Sequence, residues 1–324
     1  MLSQQGYTGD RSYNNLMEEV MKKLIALLLA FAVCLCMAAG AFAEEDNPVL
    51  KEGYTETGEG WISVVSWCMN GDEKIYGEFY FPADYEEGRQ YPVIIMSHGF
   101  MSTHAGYEKG EWAQMLSQQG YIGYIYDYRG GSKMSRSDGK FEDMTVLTAV
   151  SDLNTVLDFV LEKEFCDRNN VYLFGSSMGG FVSALTAAQR NDVLAGMILL
   201  YPGFFAVDAA HGDYPTFEDI PEEGVKAFGQ PVGRKFITDV YDINVMEAIS
   251  GFTKDVLIIQ GTSDAYCGPE YVLEAIDTVY GEAQSELVLL TGKHAVHAFD
   301  GFHPDLRYIA HDIVKSYLEK HVAS

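Results

Sequence analysis

Short apolar runs alternate along the chain with segments whose apolar residues repeat at helical spacing. Six of the runs have strand length: 93–96, 121–126, 171–174, 197–200, 256–259 and 287–290. Nearly continuous apolar runs are typical of parallel strands that helices cover on both faces. Helices are predicted over 146–160 and 306–318, where apolar residues recur every three or four positions. This alternation predicts an α/β protein with a doubly wound, mostly parallel sheet and right-handed crossovers.

The chain ahead of these runs predicts an antiparallel start to the sheet. Residues 61–69 and 74–81 have the composition of strands, and Asn70-Gly71-Asp72 separates them. An Asn-Gly pair between two such segments is a hairpin signal, because both residues tolerate the positive φ angles of a tight turn.

Residues 203–250 interrupt the alternation. The stretch is rich in aromatic and acidic residues, Pro and Gly, and a segment this long without a regular pattern is usually functional or disordered. We interpret it as an insertion that caps the carboxyl edge of the sheet; a floppy surface excursion is the alternative. Tyr214, Phe217 and Phe228 are then candidate walls of a substrate pocket, although these rings could instead only fasten the cap to the body.

The motif G-S-S-M-G-G at 175–180 lies between a predicted strand and a predicted helix. In this context G-x-S-x-G forms a sharp turn that presents the serine hydroxyl to a substrate. Its glycines are needed because the turn brings the strand and helix backbones close together. Ser177 is therefore predicted to be a catalytic nucleophile; an ordinary Gly/Ser loop is the alternative.

A serine nucleophile needs a base, and with this motif an acid and a histidine follow the serine in chain order. Asp264 follows the apolar run at 256–260, so it stands at the carboxyl end of a strand, where catalytic groups collect. It would orient the histidine and stabilise the imidazolium. An aspartate that serves only the turn or the cap of the next helix is the alternative.

The base should follow the last predicted strand, and two histidines do so closely, His294 and His297. The sequence His-Ala-Phe-Asp that begins at His297 makes it the preferred candidate, with His294 as the alternative. His303 and His311 are expected to be structural or solvent-exposed.

Two backbone N–H groups are needed to bind the oxyanion that forms when the hydroxyl attacks. One is expected from Met178, at a helix start where the helix dipole helps. The other is expected from Phe100, which follows a predicted strand in Ser97-His98-Gly99-Phe100. His98 is interpreted as a residue that braces this loop, since it lies on the oxyanion side.

Several segments together resemble the α/β-hydrolases. They are His98-Gly99-Phe100, Asp127-Tyr128-Arg129-Gly130, the stretch 137–146, the motif at 175–180 and Gly261-Thr262-Ser263-Asp264. The pattern Ser-Asp-Gly-x-Phe-x-x-Met-Thr within 137–146, followed by a helix and the serine motif, resembles the bacterial cinnamoyl and feruloyl esterases. The resemblance covers residues 60–320 approximately.

This resemblance implies an α/β-hydrolase fold with the acid at Asp264 and the base at His297, because the family's histidine precedes a small residue, an aromatic residue and an aspartate. It also implies a small α/β cap between the strands near 200 and 255 that lines an aromatic acyl pocket. Ser176 and Met178 stand where the family usually has His and Gln. The Met178 N–H is kept, but the polar side-chain contacts of the usual pair are lost.

Composition and charge argue against a nucleic-acid or anionic-membrane partner, a disulfide framework and a zinc site. The formal net charge is −25 at pH 7, so the chain lacks the positive footprint of a protein that binds nucleic acid or an anionic membrane. After residue 43 only Cys68, Cys166 and Cys267 remain, which are too few and too far apart for a disulfide framework or a zinc site. Cys267 is interpreted as a packing residue. We expect no metal and no cofactor.

Residues 21–43 predict a secretory signal peptide, with a basic start, an apolar segment at 24–37 and Ala41-Phe42-Ala43 before the cut. The apolar segment is too short for a comfortable membrane span. Cys34 and Cys36 lack the preceding small residue of a lipoprotein signal. We therefore expect cleavage after Ala43 and release without a stable membrane anchor, leaving a hydrolase domain at 44–324.

Residues 1–20 precede this signal and fit no export pattern, so they are expected to be an upstream extension. Residues 1–7 are identical to 115–121. A true start at Met17 or Met21 would account for the extension.

Together these features predict a secreted serine carboxylesterase that acts through an acyl-enzyme, with small or polysaccharide-linked hydroxycinnamate (feruloyl) esters as substrates. One alternative is a serine peptidase or short-chain acylglycerol lipase of the same fold. In a peptidase, acids of the insertion could hold a charged substrate terminus: Glu218, Asp219, Glu222 and Glu223. The other alternative is a non-catalytic binding module on a hydrolase scaffold.

Overall fold

The computed structural model describes residues 52–106, 109–299 and 305–322, so the predicted extension (1–20) and signal peptide (21–43) lie outside the described residues. The strands within them are β1 (Thr55–Gly58), β2 (Trp61–Asn70), β3 (Glu73–Pro82), β4 (Tyr91–Ser97), β5 (Ile122–Tyr126), β6 (Cys166–Ser176), β7 (Gly196–Leu200), β8 (Val225–Ala227), β9 (Gln230–Val232), β10 (Asp255–Gly261) and β11 (Ser285–Leu290).

The helices are α1 (Lys109–Ser117), α2 (Val146–Leu161), α3 (Met178–Gln189), α4 (Ala206–Asp213), α5 (Lys235–Tyr241), α6 (Val245–Ile249), α7 (Pro269–Ala275) and α8 (Asp305–His321). Three-residue 3₁₀ turns stand at 141–143, 217–219 and 297–299, and a π-helical turn extends α7 over 276–280.

The main sheet has the strand order β1-β2-β3-β5-β4-β6-β7-β10-β11. The first three strands are antiparallel to their neighbours, and β5, β4, β6, β7, β10 and β11 pair in parallel. The predicted mostly parallel sheet with an antiparallel start is thus confirmed. Its register sets Ser97 opposite Gly175 and Ser176 opposite Leu200, so the carboxyl ends of β4, β6 and β7 end side by side.

The two faces of this sheet are both covered, which explains the continuous apolar runs. In β4, Val93 and Ile95 belong to the hydrophobic cluster on one face, whereas Ile94 and Met96 belong to the cluster on the other. All four side chains are fully buried. A strand that buries both of its faces cannot show the apolar–polar alternation of a half-exposed strand.

Helices form the outer layers. On one face α2 and α3 contribute Leu153, Leu157 and Phe181 to the core, and on the other face α1 and α8 contribute Trp112 and Val314. Burial of side chains of this kind stabilises the fold by about 1.5–3 kcal/mol each.

The insertion at 203–250 forms regular structure. It contains α4, α5, α6 and an antiparallel β8–β9 hairpin, and we call residues 203–250 the cap. The Gly233 N–H donates to Glu142 O at 3.0 Å, and the Thr145 hydroxyl donates to Asp239 Oδ2 at 2.7 Å. These bonds fasten the cap to the segment that precedes α2.

Cys68, Cys166 and Cys267 are free and buried. Burial raises the pKa of Cys166 to about 11 and that of Cys68 to about 12, so both thiols stay protonated. In the described part of the chain, no helix has the length and apolar character of a membrane span.

Candidate active site

The turn between β6 and α3 holds Ser177 in a strained conformation. Its φ of 53° and ψ of −124° form a combination that L-residues rarely adopt and that costs roughly 1–3 kcal/mol. The Ser177 N–H donates to Leu200 O at 3.0 Å, and its carbonyl accepts from Gly203 N–H at 2.8 Å. At Gly175 a Cβ would lie 2.2 Å from Gly179 O, so the close approach of strand and helix requires a glycine.

Asp264 lies in the loop after β10, where its carboxylate accepts three hydrogen bonds. The N–H groups of Tyr266 and Cys267 each donate to Oδ1 at 2.9 Å, and His297 Nδ1–H donates to Oδ2 at 2.9 Å. The side chain is fully buried. The carboxylate therefore has a fixed orientation, and the His297 ring keeps its proton on Nδ1 and presents Nε2 as an acceptor.

Ring contacts fix the position of His297. The Tyr201 ring lies 4.8 Å from the His297 ring and the Tyr266 ring lies 5.6 Å from it, both edge-on. The buried Phe299 packs against Tyr201 with ring centroids 4.9 Å apart. Ala298, between His297 and Phe299 in the chain, adopts a φ of 58°. The turn at 297–299 thus directs the imidazole toward the end of β10.

The other candidate histidines differ from His297 in their surroundings. His294 lies three residues earlier in the same loop, but the Asp264 carboxylate bonds to His297. His311 on α8 is buried against Trp112, with ring centroids 4.1 Å apart, and burial lowers its pKa to about 4. His311 is thus a neutral core residue, and His303 lies outside the described residues.

The loop after β4 lies against the serine turn. A Cβ on Gly99 would be 3.3 Å from Ser177 Cβ and 3.8 Å from Ser177 Oγ, so the backbone next to Phe100 faces the hydroxyl. His98 braces this loop, since its Nδ1–H donates to Gly99 O at 2.8 Å and its Nε2 accepts from Tyr128 N–H at 3.4 Å.

The second predicted oxyanion donor directly follows Ser177 in the chain. Met178 is the first residue of α3, where helical N–H groups have no acceptor within the helix. A Cβ on Gly203 would lie 3.3 Å from Met178 N, so the glycine keeps this N–H accessible. The two backbone segments that carry Phe100 and Met178 therefore flank Ser177.

His104 is a further residue of this loop, which the sequence analysis missed. Its backbone N–H and its Nδ1–H donate to Asp127 Oδ1 at 2.6 and 2.9 Å, and its Nε2 lies 3.4 Å from Glu78 Oε1. Burial alone would lower the pKa of His104, but the two carboxylates outweigh it and raise the pKa to about 9. A buried imidazolium therefore ties the loop after β4 to Glu78 within β3 and to Asp127 at the end of β5.

The free energy of unfolding should fall as the pH rises from about 6.5 through about 9, because His104 has a pKa of about 9 when folded and 6.5 in a model peptide. The stabilisation by protonated His104 is fully present below the pKa that His104 has in the unfolded chain. It is lost as the pH rises through the pKa that His104 has in the folded protein. A shift of this size corresponds to about 3 kcal/mol. Denaturant titrations across this range should show the decline.

The matched variants are His104→Gln, which should lose most of this pH dependence, and His211→Gln, which changes an exposed histidine of the cap and should keep it. An identical pH dependence in wild type and His104→Gln would contradict the assignment.

Cys267 lies beside the Asp264–His297 pair, and one ligand-type atom of each of these residues is within 4.8 Å of the others. Burial raises the pKa of the Cys267 thiol, and the Asp264 charge adds to this, while a hydrogen bond with Ser177 opposes it. Both Asp264 oxygens already accept hydrogen bonds, Oδ1 from two backbone N–H groups and Oδ2 from His297 Nδ1–H. The group therefore fits a hydrogen-bonded pair better than a metal site.

Aromatic rings extend from His297 across the site. Tyr266 lies 5.7 Å from Phe228, which lies 6.0 Å from Phe100, and Phe100 lies 4.9 Å from Phe236. Phe228 stands at the tip of the β8–β9 hairpin with a φ of 48° and is 56% exposed. We call Phe100, Phe228, Phe236 and Tyr266 the aromatic group.

The other two predicted wall residues have a different role in the cap. Phe217 packs against the Tyr241 ring at 5.6 Å and lies under the Arg234 guanidinium at 5.1 Å. Tyr214 is half-buried, and its carbonyl accepts from the Tyr241 hydroxyl at 2.8 Å. Among the described contacts, those of Phe217 lie inside the cap, so only Phe228 of the three joins the aromatic group.

Known proteins match this chain over ranges of different length. A family model described as "Serine aminopeptidase, S33" matches residues 88–219, a range that contains Ser177 but ends before Asp264 and His297. The structure is similar to that of Est1E from Butyrivibrio proteoclasticus with bound ferulic acid, with a TM-score of 0.70 and 23% identity over 80% of this chain and 100% of that chain. At this identity the likeness is one of fold.

Two curated relatives match over shorter ranges. Monoglyceride lipase from Rattus norvegicus is 34% identical over 115 residues, which are 34% of this chain and 34% of that protein. Dipeptidyl peptidase 8 from Mus musculus is 24% identical over 171 residues, which are 46% of this chain and 19% of that protein. The chain therefore spans about a third of the length of the first relative and about a fifth of the length of the second.

Proposed function

We propose that this chain, which has the α/β-hydrolase fold and resembles the feruloyl esterases, is a serine carboxylesterase. The observation that carries the proposal is the hydrogen bond of 2.9 Å between His297 Nδ1 and Asp264 Oδ2 beside a serine on a strained turn. A hydrolase of this fold is supported by the comparisons, and the roles of Ser177, Asp264 and His297 are our proposal.

In the proposed reaction His297 Nε2 takes the proton of the Ser177 hydroxyl while Oγ attacks the ester carbonyl. The N–H groups of Phe100 and Met178 stabilise the oxyanion. The ester C–O bond breaks as His297 gives the proton to the leaving alcohol, which yields an acyl-enzyme. Water then attacks with His297 as the base, and the acid and free Ser177 are released, while Asp264 holds the ring.

We further propose that the acyl group is an aromatic acid such as a hydroxycinnamate. The aromatic group offers flat apolar faces next to the loop after β4. A phenyl ring that packs between such faces gains roughly 0.5–1.5 kcal/mol per ring contact, in addition to the free energy of burying its apolar surface. We also propose that residues 21–43 act as an export signal, and export from the cytoplasm would bring the enzyme to polymer-linked esters.

A peptidase is the second candidate, because the matching family model is described as an aminopeptidase. Of the acids of the cap that could hold a charged substrate terminus, Glu222 pairs with Arg234 at 3.1 Å, and Asp219 accepts from the Thr216 hydroxyl at 2.9 Å. Two of the four acids are thus already engaged within the cap, whereas Glu218 and Glu223 are exposed, so an assay has to separate the two candidates.

A direct test compares hydrolysis of methyl ferulate with hydrolysis of an aminoacyl anilide by the unlabelled enzyme, and a separate sample is labelled with a fluorophosphonate. We expect labelling of Ser177 and hydrolysis of the ester with little or no cleavage of the anilide. Cleavage of the anilide alone would indicate the peptidase, and an unlabelled, inactive protein would indicate the binding module.

Phe228→Ala should lower kcat/KM for methyl ferulate about tenfold, since roughly 1.4 kcal/mol of ring contact is lost. Ethyl acetate hydrolysis should change much less, because a two-carbon acyl group barely reaches the hairpin tip. Phe217→Ala is the matched control, an exposed phenylalanine of the same cap that packs on Tyr241, and it should affect both esters equally. If Phe228→Ala lowered kcat/KM equally for both esters, the cap would not contribute to selection of the acyl group.

A further inference from the structure

Two buried histidines enclose the part of the loop after β4 that carries Phe100. His98 directly follows β4, and His104 lies further along the same loop. Residues 99–103, between the two histidines, are half-buried or exposed. The loop therefore has two buried ends and an open middle, and we call residues 98–104 the β4 arch.

Both ends of the β4 arch are held by the segment that follows β5. At one end, His98 Nε2 accepts from Tyr128 N–H at 3.4 Å, and the two rings lie 4.4 Å apart. At the other end, the backbone N–H and Nδ1–H of His104 donate to Asp127 Oδ1 at 2.6 and 2.9 Å. Asp127 and Tyr128 are consecutive in the chain, so one short segment fixes both ends of the arch.

The middle of the arch faces the proposed nucleophile. A Cβ on Gly99 would lie 3.3 Å from Ser177 Cβ, so the arch backbone runs close to the serine. The backbone turns sharply there, since Met101 has a φ of 61° and the Ser102 N–H donates to Gly99 O at 3.2 Å. The direction of the Phe100 N–H therefore depends on where the two ends of the arch are held.

Charge holds the His104 end of the arch. The Nδ1 atom of His104 faces Asp127, and its Nε2 atom lies 3.4 Å from Glu78 Oε1. Only an imidazolium has a proton on both ring nitrogens, so only the charged ring can donate to both carboxylates. A neutral ring would turn a lone pair toward one of the two carboxylates, and the contact would become repulsive.

The groups packed around His104 keep both carboxylates ionised. The Tyr76 ring lies 4.8 Å from the His104 ring, and the Tyr76 hydroxyl donates to Glu78. Arg136 is the cation that shares these acids, with Nη1 3.2 Å from Glu78 Oε1 and a backbone N–H that donates to Asp127 Oδ2 at 2.7 Å. Burial would raise the pKa of both carboxyl groups, but the hydrogen bonds and charge of His104 lower it.

We propose that His104 is a positioning residue of the esterase, which holds the β4 arch so that the Phe100 N–H points at the developing oxyanion. This inference rests on the esterase function proposed above. It extends that function to a residue that acts through the loop, and it predicts an effect on hydrolysis in addition to the effect on stability.

The charge of His104 links this role to pH. Burial lowers the pKa of His104, but Asp127 and Glu78 outweigh it and raise the pKa to about 9. As the pH rises through this value the ring loses one proton, its contact with Glu78 fails, and the end of the arch is released. We therefore expect kcat to decline on the alkaline side while the protein is still folded.

The first experiment compares methyl cinnamate, which has no ionisable group, with its thiono analogue, in which sulfur replaces the carbonyl oxygen. Sulfur is a weak hydrogen-bond acceptor, so well-placed N–H donors favour the oxygen ester and displaced donors reduce this preference. His104→Gln should lower kcat for the oxygen ester roughly 10- to 100-fold, less than the 10²–10³-fold cost of losing a whole oxyanion donor. It should also lower the oxygen-to-sulfur ratio of kcat/KM and change KM much less.

The matched control is His211→Gln, which changes an exposed histidine of the cap and should leave kcat, KM and the ratio unchanged. Circular dichroism establishes that both variants are folded.

A second variant changes the charge around His104 and keeps its ring. Glu78→Gln leaves one carboxylate beside His104 and so lowers the pKa of the imidazole. The alkaline decline of kcat should then begin at a lower pH than in the wild type. Glu56→Gln removes the same charge from an exposed position of β1 and should leave the pH profile unchanged.

The outcomes separate the inference from the proposed function. If the wild type hydrolyses no ester, the proposed function fails and the inference fails with it. If the wild type is active but His104→Gln keeps the oxygen-to-sulfur ratio, or Glu78→Gln keeps the wild-type pH profile, the positioning role is overturned and the esterase stands.

The wild type provides a test that needs no variant. Its oxygen-to-sulfur ratio should fall as the pH rises through about 9, because the same release of the arch displaces the Phe100 donor. A ratio that stays constant across this range in the folded enzyme would overturn the proposal even if His104→Gln failed to fold.

Discussion

Ser177→Ala should yield a folded protein whose esterase activity is lower by roughly 10⁴–10⁶-fold, as is usual for the loss of a nucleophile that works as one unit with its base and acid. The reason is chemical. Without the hydroxyl no acyl-enzyme can form, and only the oxyanion donors and binding contacts remain. Hydrolysis of methyl ferulate and fluorophosphonate labelling both measure this loss. Retention of a large part of the activity would move the nucleophile elsewhere.

A glycine at the same position separates catalysis from stability. Ser177 has a φ of 53° and a ψ of −124°, which glycine adopts without steric cost. Ser177→Gly should therefore be as inactive as Ser177→Ala but more stable to denaturant by about 1 kcal/mol. If both variants lost stability together with activity, the serine would have a structural role in the turn.

The frame of this site follows from local sequence patterns. The run at 171–174 lies within β6, the following serine motif begins α3 at Met178, and the run at 256–260 leads into the loop of Asp264. Each of these features depends on neighbours within a few residues, where apolar spacing and glycine positions carry most of the information. Chain order then sufficed to nominate Asp264 and a histidine after β11 as the partners of Ser177.

Features that depend on distant contacts could not be predicted in this way. His104 and Asp127 are 23 residues apart, and only the fold brings the loop after β4 to the end of β5. In the cap, β8 and β9 have three residues each, which is too short for a periodic pattern to appear. Helix α1 contains Gly110 and buries little beyond Trp112, Ala113 and Leu116, so its apolar stripe is weak.

The roles of the two exposed phenylalanines of the cap also depend on distant contacts and could not be predicted from local sequence. Phe217 and Phe228 are both exposed phenylalanines of an aromatic-rich insertion, and composition alone does not separate them. The β8–β9 hairpin sets Phe228 between Phe100 and Tyr266, while the 3₁₀ turn at 217–219 sets Phe217 against Tyr241. The difference arises from a tight turn at Phe228-Gly229, where both residues have a positive φ.

His297→Ala should reduce activity as severely as Ser177→Ala, whereas His294→Ala should cost far less. The Asp264 carboxylate holds the His297 ring through Nδ1 at 2.9 Å, and Tyr201 and Tyr266 contact the same ring edge-on, so the proposed proton acceptor is fixed at Nε2.

Because the residues act as a unit, the double variant Ser177→Ala/His297→Ala should be no less active than either single variant. Measurements of kcat/KM on methyl ferulate, with the rate of fluorophosphonate labelling as a second readout, test this ranking. Slower labelling in His297→Ala than in His294→Ala is expected, since the unassisted hydroxyl is a weak nucleophile. The reverse order in both readouts would transfer the role of the base to His294 and would require the loop at 291–297 to rearrange before catalysis.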